Sequence, residues 1–510
     1  MWERLTWSDV RIIAHYLGVL LSFMSAGFAI PFVVALICAE WESAAHYLLV
    51  AGLALIIGTL LRFLHIRPGK ISHHQALFVT GLSWIVLALM AAVPLYMSGH
   101  YLSPTDAVFD AVSGLTTTGA SVIIDLDHLS NADNMWRFLM HGIGGLGLIV
   151  VGVTFGLFGR GGGASLYSSE GRSEHIVPNV MQTTRFIFRI AAVVILIATL
   201  LLFVLCALQG MEPSRAFLHS FWLSMSAFMT GGFSPVQESI LYYRSAPIEF
   251  IITIVMFIGS INFVLHSSIL RGKVRDFFRD TETITGFLWL TVLIVVLAAT
   301  ISGAQYFSGL PSMLRHDLFM VISAYSTTGF ANINATQLTS SYTSGALITL
   351  AILMGVGGGS GSTAGGIKLN RVGFIFKTIF AALRQSLAPE SARIVIPYYH
   401  MGARILDATT VRSAMTVTSL YSITYIVGAL MGIAAGYDAT KSIFESVAMA
   451  SNSGITSGII VPGMSAPLEL FYIFEMWAGR LEFVTLFALI VKIVTTLFPI
   501  IGARRGHNIT

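Results

Sequence analysis

The sequence feature that most constrains the fold is a short polar stretch between two long apolar segments, Ser113-Gly-Leu-Thr-Thr-Thr-Gly-Ala-Ser121. A dehydrated alkali cation needs threonine hydroxyls and closely spaced backbone carbonyls in place of its water. Glycine allows successive carbonyls to point the same way, because it adopts backbone conformations that other residues avoid. This stretch therefore predicts one strand of an ion-selectivity filter. A single strand cannot surround an ion, so the prediction requires partner strands elsewhere in the chain.

The composition indicates that the chain lies in a membrane. Of its 510 residues, 55% are hydrophobic and only 11% are charged, and the mean hydropathy is +0.79. Soluble proteins contain about 25% charged residues, and a spanning helix needs roughly 20 apolar residues. Little of the chain then remains for a soluble domain. The candidate spans are residues 11–36, 46–64, 76–97, 136–158, 186–208, 247–270, 284–306, 344–380 (interrupted), 410–435 and 467–498.

The distribution of charge predicts the orientation of these spans. If the N-terminus lies in the cytoplasm, most of the 29 Lys and Arg residues fall in cytoplasmic segments, as the positive-inside rule requires. The net charge of +4 then reflects topology and does not indicate a nucleic-acid surface. The first apolar segment follows Arg4 and Arg11 and has no small-residue cleavage site, so we expect a retained span rather than a signal peptide.

The segment before the polar stretch predicts a short helix. Ser103 suits the N-cap, Pro104 the first helical position and Asp106 the third. This helix is too short to cross a bilayer, and a re-entrant backbone is tolerated only where it lines a water-filled path or is buried in protein. We therefore expect the chain to enter the membrane here, form the polar stretch and return.

The same unit recurs three times, so the chain contains four copies of one hairpin. The copies end at Gly119, Gly232, Gly329 and Gly454, and each has an aromatic residue ten positions earlier. Agreement at several fixed offsets across four copies is improbable by chance. The residues just before these glycines, which together with them are the candidate filter ligands, are Thr117, Thr118, Thr230, Gly231, Thr327, Thr328, Asn452 and Ser453.

These repeats predict the architecture. We expect an all-α polytopic membrane protein with four tandem span–pore-helix–filter–span repeats around a pseudo-fourfold pore, preceded by two extra transmembrane helices. Four short helices that aim their partly negative C-terminal ends at one axis favour a cation there. A duplication without a shared pore is the alternative. The predicted regions are a two-helix N-terminal region, 1–70, and pore repeats 71–170, 171–280, 281–400 (with the interrupted second helix) and 401–510.

Two of the four copies carry motifs that resemble a known family. Ser113-Gly-Leu-Thr-Thr-Thr-Gly-Ala120 and Ser323-Ala-Tyr-Ser-Thr-Thr-Gly-Phe330 are similar to the first and third filter signatures of the Trk/Ktr/HKT superfamily of potassium transporters, in its TrkH branch. The two extra spans before the first repeat also resemble that branch. The second and fourth copies, Met229-Thr-Gly-Gly-Phe233 and Ser451-Asn-Ser-Gly-Ile455, depart from the usual family patterns. Glycine at all four key positions resembles the potassium-preferring members.

The resemblance implies potassium uptake across the bacterial inner membrane, with K⁺ as the transported ion and no organic cofactor in this chain. It further implies a homodimer and a cytoplasmic nucleotide-binding regulatory subunit of the TrkA type. A stoichiometric cation symporter and a less selective K⁺/Na⁺ transporter of the same fold remain alternatives. Gly142-Ile-Gly-Gly-Leu-Gly147 follows no strand, so helix packing is preferred over a dinucleotide site, and we expect no enzyme.

The eighth candidate span is interrupted by a glycine-rich segment, Gly355-Val-Gly-Gly-Gly-Ser-Gly-Ser-Thr-Ala-Gly-Gly366. Glycine costs about 1 kcal/mol per residue inside a helix, so we expect this segment to be unwound at membrane depth. A phosphate loop would need Gly-Lys-Ser/Thr, which does not follow here. Close helix packing is one interpretation, whereas the resemblance implies a flexible gate under the filter. The candidate gate residues are Gly357, Gly358, Gly359, Ser360, Gly361, Ser362, Thr363, Ala364, Gly365, Gly366 and Lys368.

Arg480 lies inside the last candidate span, where an arginine costs about 2.5–3.5 kcal/mol on insertion scales. It should therefore face a wet cavity or a partner. One interpretation is a structural clamp with Glu475 or Glu482. The resemblance implies instead a positive barrier on the cytoplasmic side of the filter, which completes the gate. A secondary transporter with inverted repeats would have broken helices in both halves, whereas only residues 344–380 are plainly broken in the sequence.

Overall fold

The computed structural model describes residues 5–64, 71–147, 153, 180–300, 310–389 and 394–497. It confirms an all-α membrane fold. Within the described residues, 6 helices are long and apolar enough to cross a bilayer, and one bent pair of helices would add a further span. The only strands in those same ranges form an antiparallel hairpin that pairs Pro397 with Ile405 and Tyr399 with Ala403.

The N-terminal region is an antiparallel pair of spans. Its first helix begins at a capping box formed by Thr6 and Asp9. Gly18 and Gly58 lie face to face where the spans cross, since a Cβ on either residue would come within 3.0 Å of the other's carbonyl oxygen. The predicted span 11–36 consists of two helices that meet at Phe28. The helices are α1 (Trp7–Gly27), α2 (Ala29–Ile37) and α3 (Trp41–Phe63).

The first two repeat regions each contain a long span, a short helix and a second span. The first short helix begins as the sequence predicts, with Pro104 at its first position and Ser103 Oγ accepting from the Asp106 N–H at 3.1 Å. The elements are α4 (His73–Met97), α5 (Pro104–Thr116), α6 (Asn131–Leu146), α7 (Val180–Leu208), α8 (Pro213–Phe228), a 3₁₀ helix (Ser239–Tyr243), α9 (Ala246–Ser260), α10 (Phe263–Leu270) and α11 (Val274–Arg279).

The last two repeat regions follow the same order, and the β-hairpin lies between them. The fourth short helix begins at Asp438, whose side chain accepts from the N–H groups of Thr440 and Lys441. The elements are α12 (Thr281–Thr300), α13 (Leu310–Tyr325), α14 (Ala335–Ser341), α15 (Ser344–Gly355), α16 (Leu369–Leu387), β1 (Pro397–Tyr399), β2 (Ala403–Ile405), α17 (Ala408–Ala434), α18 (Ala439–Ala450), α19 (Ala466–Arg480) and α20 (Val484–Leu497).

The expectation that only residues 344–380 are broken was wrong. Residues 247–270 form α9 and α10, which meet at an angle of 103°. Residues 467–498 are divided between α19 and α20. Helix α6 covers the first part of the predicted span 136–158, and the rest of that span, except residue 153, lies outside the described residues.

Local backbone features cause these breaks. Asn262 caps α10 by accepting from the Val264 N–H at 2.9 Å. Glu482 and Phe483 have left-handed φ angles of 53° and 62° between α19 and α20, and Gly147 follows α6 with a φ of 92°. One or two such residues do not lower the mean hydropathy of a span, so the breaks escape a hydropathy pattern.

The second spans link the repeats into a closed arrangement. Helix α6 packs against α8, α9 against α13, α15 against α18, and α19 against α5. Each second span therefore contacts the short helix of the next repeat, and the fourth contacts that of the first. This order brings the C-terminal ends of α5, α8, α13 and α18 to the centre of the fold.

Candidate functional site

The four short helices end in the same turn. The residue two positions before each key glycine has a left-handed backbone, with φ of 58° at Thr117, 49° at Thr230, 51° at Thr327 and 55° at Asn452. A non-glycine residue in this conformation costs about 1–2 kcal/mol, so the surrounding structure must hold each one in place. In each turn the next N–H donates to a carbonyl in the helix: Thr118 to Ser113 (2.8 Å), Gly231 to Ser226 (2.8 Å), Thr328 to Ser323 (2.9 Å) and Ser453 to Ala448 (2.8 Å).

The four key glycines form a closed ring in chain order. Each has positive φ, between 69° and 95°. A Cβ on any of them would lie well under 3.0 Å from a carbonyl oxygen of the next repeat, and the last glycine faces the first repeat. The structure therefore brings together all four predicted filter strands. The facing pairs are Gly119 with Gly231 O, Gly232 with Thr328 O, Gly329 with Ser453 O and Gly454 with Thr118 O.

A second set of four equivalent glycines was not recognised from the sequence. Each lies on a second span or at its end, where a Cβ would lie under 3.0 Å from the carbonyl oxygen near the C-terminus of the short helix in its own repeat. The signal was present, since a glycine follows each key glycine at a similar spacing. The pairs are Gly144 with Leu115 O, Gly259 with Phe228 O, Gly357 with Tyr325 O and Gly479 with Ala450 O.

The side chains behind the ring differ between repeats. In the first, Ser113 Oγ donates to Ala120 O at 2.6 Å, and in the third Ser323 Oγ donates to Phe330 O at 2.6 Å. In the second repeat the matching Ser226 Oγ lies 3.2 Å from His141 Nδ1.

The fourth repeat has an alanine at this position, and a buried carboxylate supports its strand. Glu445 accepts from Thr456 Oγ1 at 2.6 Å and from the Ser457 N–H at 2.8 Å. Asn452 Nδ2 donates to Thr118 Oγ1 at 3.0 Å, which joins the fourth strand to the first.

A fully buried arginine, Arg137, braces the first and second strands on another side. Its Nε donates to Asp110 Oδ2 at 3.2 Å, and its Nη atoms donate to Ser121 Oγ at 3.3 Å and to Ser234 O at 3.2 Å. Its guanidinium carbon lies 4.1 Å from the centre of the Phe233 ring. Sequence reasoning missed this brace, because Arg137 is far in the sequence from Asp110 and Ser234.

The glycine-rich segment forms a loop, Val356–Lys368, between α15 and α16. The Gly365 N–H donates to Thr327 Oγ1 at 2.7 Å, and a Cβ on Gly365 would overlap Ser451 O. The loop therefore touches the third and fourth filter strands where their short helices end.

One loop residue, Thr363, contacts the second repeat. Its Oγ1 lies 3.0 Å from Phe228 O and 2.8 Å from Gly259 O, and Thr230 Oγ1 donates to it at 3.2 Å. At the far end of the loop, the buried Lys368 ammonium donates back to the Ala364 carbonyl. The loop is thus docked through individual hydrogen bonds.

Arg480 lies between the first filter strand and the loop. Its Nη1 donates to Thr117 Oγ1 and to Thr363 O, both at 3.1 Å. Its Nη2 donates to the carbonyl oxygen of Gly144 at the end of α6. Of the two acidic residues nearby in the sequence, Glu475 accepts from Ser446 Oγ at 2.7 Å and Glu482 forms an ion pair with Arg371.

Two cavities lie on the loop side of the ring. The smaller, of about 50 Å³, is lined by Asn452, Arg480, Lys368 and loop residues. The larger, of about 540 Å³, is lined by Ser360, Arg371 and the β-hairpin. Glu482 lines the smaller cavity, so its ion pair with Arg371 spans the wall between the two.

Comparisons with known proteins identify the family of the chain. The TrkH family model, described as "Cation transport protein", matches residues 49–496. The chain is 30% identical over 497 residues to an uncharacterized cation transporter of Methanocaldococcus jannaschii, covering 95% of this chain and 96% of the relative. It is 30% identical to the Trk system potassium uptake protein TrkH of Salmonella typhimurium, covering 94% of this chain and 98% of the relative.

The fold is also that of a solved structure. The crystal structure of the potassium transporter TrkH from Vibrio parahaemolyticus matches with a TM-score of 0.78 and 25% identity, covering 94% of this chain and 98% of that chain. Because the family model covers most of the chain, the protein belongs to the TrkH family of cation transport proteins.

Proposed function

We propose that this protein takes up potassium through the ring formed by its four filter strands. The observation that carries the proposal is the closed set of contacts from each key glycine to a carbonyl of the next repeat. The names of the Salmonella and Vibrio relatives support K⁺ as the cargo. The family is one of cation transport proteins rather than enzymes, and no organic cofactor enters the proposal.

In this mechanism K⁺ loses its water and is held by oxygen atoms of the ring. Backbone carbonyls and threonine hydroxyls replace the hydration shell, and the partly negative ends of α5, α8, α13 and α18 favour the cation there. An inward-negative potential assists by about 2.3 kcal/mol per charge for each 100 mV. The proposed ligands come from Thr117, Thr118, Gly119, Thr230, Gly231, Gly232, Thr327, Thr328, Gly329, Asn452, Ser453 and Gly454.

The proposed gate consists of Arg480 and the loop. Arg480 places a positive charge between Thr117 and Thr363 O, directly on the loop side of the ring. Its charge repels a cation that leaves the ring, and the loop at residues 357–366 narrows the same path. Lys368 keeps the loop folded through its bond to the Ala364 carbonyl. Passage then requires the loop and Arg480 to move apart.

The cellular setting is part of the same proposal. Four pore repeats within residues 71–510 follow a two-helix N-terminal region, and the N-terminus lies in the cytoplasm, which the positive-inside pattern supports. A homodimer with a cytoplasmic nucleotide-binding subunit of the TrkA type is what the family resemblance implies. Symport with another cation is the alternative, and it differs in predicting uptake that depends on that cation's gradient.

The test is growth of a potassium-uptake-deficient bacterium that expresses this chain. We expect growth at low K⁺, and Rb⁺ uptake that K⁺ inhibits far more strongly than Na⁺. Collapse of the Na⁺ gradient at constant membrane potential should leave the uptake unchanged. Absence of Rb⁺ uptake with normal membrane expression, or equal inhibition by Na⁺, would contradict selective potassium transport.

A further inference from the structure

We propose that His141 is the positioning residue of the second filter strand and sets the discrimination between K⁺ and Na⁺. The inference rests on the proposed function, because it assigns selectivity within the same ring. His141 lies on α6 in the first repeat and is 0% exposed, yet it contacts Ser226 and Phe233 of the second. It therefore acts across the boundary between two repeats.

The first observation is that the imidazole takes the place of the strand carbonyl as the hydrogen-bond partner of a serine hydroxyl. In the first and third repeats, a serine hydroxyl donates at 2.6 Å to the carbonyl that follows the key glycine. In the second repeat the matching Ser226 hydroxyl instead meets His141 Nδ1 at 3.2 Å. The serine hydroxyl that supports the strand in those two repeats is thus held by α6 in the second repeat.

The second observation is that His141 fills the space that a side chain at position 231 would need. A Cβ on Gly231 would lie 2.5 Å from His141 Cγ and 2.6 Å from Cε1, and closer still to Nδ1. The residue at this position in the first, third and fourth strands carries a side chain: Thr118, Thr328 and Ser453. Glycine at 231 and histidine at 141 are therefore complementary.

The third observation is that Gly231 is part of the ring itself. Its carbonyl oxygen is the atom that faces Gly119. Behind it, the imidazole stacks on the Phe233 ring with centroids 4.4 Å apart, and Arg137 covers that ring. The rigid imidazole of His141 therefore packs against Gly231, whose carbonyl lies against the first strand.

The unsatisfied ring nitrogen of His141 also indicates a role in positioning. His141 Nε2 is buried and has no hydrogen-bond partner. An unsatisfied buried polar atom needs a compensating reason, and an apolar residue of similar size would avoid it. The preference of a carbonyl site for K⁺ depends on the number and placement of its oxygen atoms. Holding the Gly231 carbonyl in place is such a reason.

The experiment measures Rb⁺ uptake, its KM and the Na⁺ inhibition constant in the full-length protein. We expect H141A to strengthen Na⁺ inhibition about tenfold while maximal uptake changes less than about threefold. H141N can place an amide nitrogen near the Nδ1 position, so it should keep Na⁺ inhibition within about twofold of wild type. H219A is the control, since that histidine is also buried but bonds Tyr243 Oη, and it should leave Na⁺ inhibition unchanged.

A double-mutant cycle tests the complementarity directly. G231A should reduce uptake more than about tenfold because its Cβ meets the imidazole, and H141A/G231A should recover most of that loss. An unchanged Na⁺ inhibition constant in H141A, or no recovery in the double variant, would overturn the proposal. If wild type shows no Rb⁺ uptake, the proposed function fails instead. Where H141A alone does not fold, Na⁺ inhibition in H141A/G231A decides the question, because the Cβ at position 231 fills part of the space that the imidazole leaves.

Discussion

The ring of four key glycines and the loop beside it both use glycine at membrane depth, but in different ways. In the ring, four glycines share one conformation and one contact, each against the next repeat. In the loop, Gly358, Gly359 and Gly365 each approach a different neighbour. The two other second spans that are described on both sides of their break have no such loop, since only two residues separate α9 from α10 and three separate α19 from α20.

The difference supports the proposed division into a fixed ring and a movable loop. A ring closed by four equivalent contacts cannot shift one strand without disturbing its neighbour. The loop is attached by separate bonds, such as those of Thr363 and the Gly365 N–H. Each such bond contributes about 0.5–1.5 kcal/mol, so the loop can undock while the ring stays intact. Substitutions in the two regions should therefore differ in kind.

The largest effect is expected from G119S, which acts on the ring. Its side chain would start well under 3.0 Å from Gly231 O, and overpacking costs about 1–3 kcal/mol. We expect K⁺ uptake to fall about 100-fold and the K⁺/Na⁺ preference to fall with it, because about 1.4 kcal/mol corresponds to a tenfold change. Competition between Rb⁺ and Na⁺ uptake measures both quantities.

The matched control is G99S. Gly99 has a similar φ, 77° against 85°, but a Cβ there meets nothing within 4 Å. A loss of uptake in G99S equal to that in G119S would assign the effect to backbone strain rather than to the ring. Unchanged selectivity in G119S would remove this position from the filter.

R480A tests the boundary between the ring and the loop. At an effective dielectric constant of about 20, two like unit charges about 4 Å apart repel by about 4 kcal/mol, and doubling the separation halves this to about 2 kcal/mol. Removing the charge should therefore raise Rb⁺ uptake about 30-fold without changing the K⁺/Na⁺ preference. R480K keeps the charge and should stay close to wild type. If both variants reduce uptake while folding normally, Arg480 is a structural clamp and not a barrier.

The sequence predicts the ring far better than the contacts around it. Fixed offsets within one chain identify Thr117, Thr230, Thr327 and Asn452, and the structure gives all four the same left-handed backbone. Repetition carries this information, because the same local turn is encoded four times. The loop is also visible in the sequence, because seven glycines cannot form a stable helix.

The features that the sequence does not reveal are contacts between repeats. His141 contacts Ser226, and Arg137 donates to the Ser234 carbonyl, from positions with no repeated counterpart. The breaks between α9 and α10 and between α19 and α20 depend on one or two residues each, which a hydropathy pattern averages out. These contacts and breaks cannot be recognised from the sequence because each occurs only once, without a repeated copy for comparison.

G365A acts on the loop alone. A Cβ at this position would overlap Ser451 O, so the loop should be pushed away from the ring. At a cost of about 1–3 kcal/mol to the docked state, we expect about tenfold higher uptake in the absence of a regulatory partner. The Na⁺ inhibition constant should not change, which separates this variant from G119S. Uptake equal to wild type, with normal expression, would mean that docking of the loop does not limit passage.

The smallest effect is expected from T363V, which removes one hydroxyl and keeps the shape of the side chain. The docked loop loses the contacts of Oγ1 with Phe228 O and Gly259 O. A net loss of about 0.5–1 kcal/mol should raise basal uptake about threefold, again at constant selectivity. T363S restores the hydroxyl and should return uptake to the wild-type value. A change in Na⁺ inhibition in T363V would show instead that the loop helps to shape the ring, and the two regions would then act as one unit.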